Sequence, residues 1–200
     1  GFKSLRVPNM KISQKIWSDK NLIKTLKDGG VIVMPTDTIY GMVGRAEDIS
    51  VVKRIYKIRK RNPDKPCIIL ISDISFLEKF DIFLGGEQKK ILKEFFSAKR
   101  PTSVILDSKN KKFSYLDRGT KTLSFRIPKN KNLQNLLSVT GPLIAPSANT
   151  EGLPPSKNIK EAKKYFGKLV DLYIDGGEII AKPSRIIRLH KNGTGSIIRE

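Results

Sequence analysis

The sequence predicts an α/β fold in which helices cover a largely buried sheet. Three observations carry that prediction. Short apolar runs, VIVM at 31–34 and CIILI at 67–71, read as strands buried on both faces. Segments with apolar residues at helical spacing alternate with such runs from end to end. No internal repeat or low-complexity linker divides the chain, and 200 residues with 38% hydrophobic content suffice for one sizeable core.

Taken in order, Leu22, Ile23 and Leu26 give a helix over 19–27, stopped by Asp28, Gly29 and Gly30. The first buried strand follows at 31–34. Val51, Val52, Ile55 and Ile58 form one apolar face of a second helix, with Asp48 or Ser50 as its cap. The run at 67–71 makes a second strand. Ile91, Leu92, Phe95 and Phe96 mark another helix, and 103–106 a third strand. Further strands are predicted at 122–127, 143–145, 169–174 and 185–189, with a helix across 159–166. Residues 1–9 read as an N-terminal arm or as residues foreign to the native chain, with Met10 as the start and 10–200 as one domain.

Thirty-nine Lys and Arg against nineteen Asp and Glu leave a net charge of +20. That excess suits an anionic partner such as a nucleotide, RNA or acidic lipid, and equally suits drift in a Lys- and Ile-rich proteome. The rarer residues exclude more. One Cys and one His cannot build a Cys/His zinc site, a disulfide framework or a Cys-x-x-Cys centre. Any nucleophile–His mechanism would have to use His190, which reads as a strand-end surface or packing residue. The apolar runs are too short to span a bilayer and no signal sequence opens the chain, so a cytoplasmic setting without membrane contact is expected.

Polar clusters follow the strands, where open α/β sheets place ligands. Thr36, Asp37, Thr38 and Tyr40 crowd a turn between Pro35 and Gly41, which reads either as a binding loop or as an Asx-type turn. Arg59, Lys60, Arg61 and Lys65 put four cations in seven residues at a helix end. They favour the helix dipole, and arginine forks also suit phosphate oxygens. No P-loop and no Gly-x-Gly-x-x-Gly occurs, so a nucleotide phosphate would be held by side-chain cations. Ser147 and Asn149 in the run APSAN offer donors and acceptors beside small residues, or simply a tight turn. Arg126 sits in an apolar strand and needs a partner there, a protein carboxylate or a bound anion.

In this order, GGVIVMPTDTIYG, IYKIRKRNPDKPCIIL, RPTSVIL, LSFRIP, GPLIAPSANTEGLPPS, DGG, PSRII and GSIIRE resemble the YrdC-like family of threonylcarbamoyl-AMP synthases, from about Leu22 to the end. The resemblance implies a twisted mixed α/β sheet with helices packed around it and a basic concave cavity. It implies conversion of ATP, L-threonine and bicarbonate or CO2 into threonylcarbamoyl-AMP and pyrophosphate, with Mg2+ accompanying ATP and no protein-bound zinc, haem or flavin. The product would serve N6-threonylcarbamoyladenosine modification of tRNA position 37 through separate partner proteins. Such an adenylylation needs positioning and charge stabilisation more than a covalent nucleophile, which agrees with the residues present.

Carried over by position, Thr38 would contact threonine, with Thr36 and Tyr40 shaping that pocket and Arg126 and Ser184 completing the threonine and carbamate site. Arg59, Arg61 and Lys65 would grip ATP phosphates, Ser103 and Arg199 would bind the nucleotide, and Ser147 and Asn149 would act at nucleotide and carbamate. Arg59, Arg61, Ser147 and Asn149 are the expected catalytic set. Three departures bear on the nucleotide's fit: Arg59 replaces a usual Lys, Ala98-Lys99-Arg100-Pro101 replaces Trp-Pro-Gly-Pro, and Arg185 stands where Thr is usual. The length resembles the short single-domain form and leaves no room for the zinc-finger and acylphosphatase-like modules of related hydrogenase maturation proteins. The alternative reading is a YrdC-like module that binds tRNA or double-stranded RNA through phosphate contacts without turnover.

Overall fold

The computed structural model describes residues 14–200; the arm at 1–9 and the start at Met10 lie outside the described residues. A 3-10 turn, Gln14–Ser18, leads into α1 (Lys20–Lys27), where the Asp19 carboxylate accepts the Leu22 N–H at 2.9 Å as a cap. Next come β1 (Ile32–Pro35), β2 (Tyr40–Arg45) and α2 (Ile49–Arg59). Asp48 is the α2 cap, accepting from the N–H groups of Ser50 and Val51. Then follow β3 (Ile68–Leu70), a 3-10 segment Ile74–Phe80, α3 (Gly86–Ser97), β4 (Thr102–Asp107), the short α4 (Ser114–Asp117) and β5 (Thr122–Arg126). The chain ends through α5 (Lys131–Thr140), β6 (Leu143–Ile144), α6 (Ile159–Phe166), β7 (Leu172–Tyr173), β8 (Arg185–Leu189) and β9 (Gly195–Arg199).

These strands make one sheet in the order β7-β1-β2-β6-β3-β5-β4-β8-β9. It is mixed: β1 with β7, β3 with β5 and β4 with β8 are parallel, and the other neighbours antiparallel. Each predicted strand and helix is present, with β8 and α6 at their predicted bounds. Both faces of the central strands are covered, which is why those strands read as unbroken apolar runs. Ile32 and Met34 pack with Trp17, Leu22, Leu26 and the α5 leucines, whereas Val31 and Val33 pack with Val51, Val52 and Ile55 of α2.

Besides the short α4, three elements depart from the sequence reading. The turn between Pro35 and Gly41 is shorter than expected, because Tyr40 and Gly41 already belong to β2. Gly44 hides that strand's signal and explains its presence: a Cβ there would come within 2.3 Å of a Val51 methyl, so glycine lets α2 lie directly on the strand. Helix α5 is absent from the sequence reading, although Leu133, Leu136, Leu137 and Thr140 follow an i, i+3, i+4, i+7 pattern. Strand β9 is exposed along its length and pairs only with β8. Among the described residues no helix is long and apolar enough to cross a membrane.

Candidate functional site

Four segments at strand and helix ends enclose a cavity of about 410 Å³. Every predicted site residue except Ser103 lines it.

The first wall is the β1–β2 connection. Thr36 closes the turn on itself, its Oγ1 donating to the Ile39 carbonyl at 2.7 Å and lying 3.1 Å from Thr38 Oγ1. Both hydroxyls are thereby fixed at the cavity surface. Tyr40 lines the cavity, and its hydroxyl donates to the Gly177 carbonyl and accepts the Gly176 N–H, each at 2.8 Å. It ties the DGG loop to the wall, and burial pushes its phenol pKa up. The tie is tight, since a Cβ on Gly176 would meet Pro35 Cγ at 2.4 Å.

The second wall is the end of α2. Lys60 takes the left-handed conformation (φ 50°) and ends the helix, so that Arg59 and Arg61 on either side of it both reach the cavity. Arg61 is braced by backbone, its Nε donating to the Lys65 carbonyl at 3.0 Å and Nη2 to the Pro66 carbonyl at 2.7 Å. Arg59 is only 2% exposed. Burial, helped by the neighbouring Arg61 charge, lowers its pKa to about 10, which leaves it protonated at neutral pH.

The third wall is the SAN segment after β6, stitched to β2 by the hydrogen bonds of Ala148 N to Tyr40 O (2.9 Å) and Met42 N to Pro146 O (2.8 Å). Arg59 Nη2 donates to Ser147 Oγ at 3.3 Å and to Asn149 Oδ1 at 3.1 Å, and Ser147 Oγ donates to Asn149 Oδ1 at 2.6 Å. The Asn149 amide nitrogen is spent on the Thr150 and Leu153 carbonyls, so this side chain shapes its own loop.

The fourth wall joins the end of β5 to β8 and β9. Arg126 finds a protein carboxylate, Asp37, at 2.9 Å, with both side chains 5% exposed and Arg126 Nε buried without a hydrogen bond. Arg199 Nη2 donates to the Ser184 carbonyl at 2.7 Å; burial and the Arg126 and Arg100 charges lower its pKa. Ser103 is fully buried behind Ser184, the two hydroxyls 2.8 Å apart, so it supports the wall from outside the cavity. Its expected contact with the nucleotide would therefore run through Ser184. The departures Arg100 and Arg185 do not line the cavity: Arg100 pairs with Glu200, and Arg185 donates to Thr102 Oγ1 at 3.4 Å.

Two carboxylates escaped the sequence reading of the site. Asp37 was visible in its turn but not as the partner of Arg126. Glu151, two residues beyond Asn149, faces Arg59, Arg61 and Lys65. Cys67 is buried, carries a free thiol and also lines the cavity. His190, just past β8, pairs with Ser196 Oγ at 2.8 Å, away from this site. Among the described residues no group of three or more His, Cys, Asp or Glu side chains is placed to hold a metal ion.

Fold and site together define an α/β domain with a side-chain cation grip, set where strand and helix ends converge. The profile of the Sua5/YciO/YrdC family, described as telomere recombination, matches residues 24–200, and the chain belongs to that family. It is 29% identical over 164 residues to a threonylcarbamoyl-AMP synthase of Pyrococcus abyssi, a match covering 81% of this chain and 47% of the relative. With a putative threonylcarbamoyl-AMP synthase of Methanocaldococcus jannaschii it shares 32% identity over 88% of this chain and 82% of the relative. Its fold superposes on P. abyssi Sua5 complexed with L-threonine at a TM-score of 0.79 and 26% identity, covering 92% of this chain and 53% of that one. For E. coli YciO the values are 0.77 and 27%, covering 94% and 90%. The chain spans about half the length of the P. abyssi relative.

Proposed function

We propose that the chain is a threonylcarbamoyl-AMP synthase, a nucleotidyltransferase that joins L-threonine, bicarbonate or CO2, and ATP. The observation that carries this reading is the convergence of Arg59, Arg61 and Lys65 with Ser147 and the Thr36–Thr38 hydroxyl pair on one cavity. Relatives named for that activity, and a neighbour complexed with L-threonine, support it.

The amine of threonine captures CO2 as a carbamate, releasing a proton. A carbamate oxygen then attacks the α-phosphorus of ATP in line, and pyrophosphate leaves with the electrons of the broken P–O bond. Arg59, Arg61 and Lys65 hold the β- and γ-phosphates and stabilise the charge that gathers on the leaving group. Thr38 and Thr36 present hydroxyls to threonine, and Tyr40 walls the pocket by anchoring the DGG loop. Arg126, kept in place by Asp37, faces the carbamate from the far side, with Ser184 and Arg199 beside it and Ser147 near the nucleotide. No step requires a protein nucleophile. Magnesium would arrive on the triphosphate, whose oxygens and bound waters would supply its ligands. The proposed destination of the product is tRNA position 37, by way of partner proteins in the cytoplasm.

Arg61→Ala and Ser147→Ala test the reading. Each is expected to lower threonine-dependent pyrophosphate release by about 10²-fold or more, the usual scale for removing one charge-stabilising donor, while circular dichroism stays unchanged. A folded Arg61→Ala protein with full turnover would remove the cation grip from the mechanism.

A further inference from the structure

The cavity carries its own anion. Glu151 Oε1 lies 3.2 Å from Lys65 Nζ, and its Oε2 lies 3.4 Å from Arg61 Nη1 and 3.9 Å from Arg59 Nη1. Its backbone N–H donates to the Arg59 carbonyl at 2.9 Å, which pins the residue against the end of α2. The side chain, 25% exposed, reaches the cations from the open side of the cavity and bridges buried Arg59 to exposed Lys65.

The arrangement is incomplete as an ion-pair network. Two carboxylate oxygens serve two guanidinium groups and an ammonium, and Arg59 Nε and Nη1 are buried with no hydrogen-bond partner. A diphosphate brings more oxygens and more charge to the same three cations. A single carboxylate is enough to offset the cost of a buried cation when nothing else is there, and too little to saturate it. The Asp37–Arg126 pair differs, because both of its side chains are buried, at 5% exposure each.

We propose that Glu151 is a built-in competitor for the phosphate chain: it occupies the Arg59–Arg61–Lys65 grip in the empty cavity and yields when a polyphosphate enters. The inference rests on reading those cations as a phosphate grip. Displacing one carboxylate imposes a fixed cost on every anion that binds. A pyrophosphate or triphosphate tail recovers it through several charge-assisted hydrogen bonds, and a singly charged group does not. The same residue returns to the cations as pyrophosphate departs, so it shortens the residence of the product.

The test is calorimetric titration of pyrophosphate into the unmodified chain, Glu151→Gln and Arg61→Ala, in metal-free buffer and again with magnesium, with melting temperatures recorded with and without ligand. Glu151→Gln is expected to bind pyrophosphate roughly tenfold more tightly, the scale of one charge-assisted hydrogen bond. Its ligand-free melting temperature should fall, and its pyrophosphate-induced rise should exceed that of the unmodified chain. Arg61→Ala should lose binding. Equal or weaker binding by Glu151→Gln, with the unmodified chain binding and Arg61→Ala not, overturns the competitor role and leaves the phosphate grip standing. Equal affinity without metal combined with a loss only in the presence of magnesium would make Glu151 a metal ligand and likewise overturn it. No binding by either the unmodified chain or Glu151→Gln overturns the phosphate grip, and the competitor with it. Should Glu151→Gln fail to fold, Glu151→Asp draws the charge back by one methylene and is expected to tighten binding by a smaller factor; no tightening there is also contrary.

Discussion

Arg126 states the residue-scale problem most sharply. A guanidinium in an apolar strand requires a counter-charge, and the strand alone does not say whether protein or ligand supplies it. The structure supplies Asp37, 89 positions away in sequence, and leaves Nε for something else. Asp37→Ala is therefore expected to destabilise the protein by about 3 kcal/mol or more, because it strands a buried cation; urea unfolding measures it. Replacing both partners with apolar residues should recover much of that loss, and a double substitution no more stable than the single one would contradict the pairing. Most candidate residues were legible because hydroxyls, cations and prolines cluster at strand ends. Asp37 and Glu151 were not legible in their roles, because ion pairs between distant segments leave no local spacing to read. The Ser103–Ser184 contact was hidden for a related reason: a small polar residue on a strand looks alike whether it faces a cavity or a second serine.

At the scale of elements, caps and apolar stripes carried the reading. Asp19 and Asp48 cap the helices that follow them, and the unbroken apolar runs are the strands covered on both faces. What was missed has a physical cause in each case. Strand β2 is weakened by Gly41 and Gly44, β9 buries neither face, and α5 begins inside a polar run, Lys129 to Asn132, that masks its leucine stripe. Beside the packing of Val51, Val52 and Ile55 on Val31 and Val33, one carboxylate ties α2 to the β1–β7 pair. Asp171 accepts from Arg54 Nη2 at 3.1 Å and from the Val31 N–H at 2.7 Å. The Arg54 hydrogen bond, with that of Val31, outweighs partial burial and holds the Asp171 pKa below its ordinary value. A carboxylate lowered in the folded state contributes stability that is complete above the unfolded value, about pH 4, and is lost as pH falls through the folded value. Asp171→Asn should thus flatten the acid limb of a stability–pH profile between neutrality and pH 3. An unchanged acid limb would show that this junction does not depend on the charge.

Over the whole molecule the +20 charge separates into two parts. Arg59, Arg61, Lys65, Arg126 and Arg199 converge on the cavity, where Glu151 and Asp37 already answer some of them. The remaining cations are spread along the chain, and tRNA binding through them would appear as a steep fall of affinity with salt. The fold brings the cavity together from segments scattered between Thr36 and Arg199, so its chemistry belongs to the complete sheet. The most direct test is threonylcarbamoyl-AMP formation by the purified chain with ATP, L-threonine and bicarbonate, each omitted in turn. The account predicts product and pyrophosphate only when all three are present; pyrophosphate release that is indifferent to threonine and bicarbonate would contradict it.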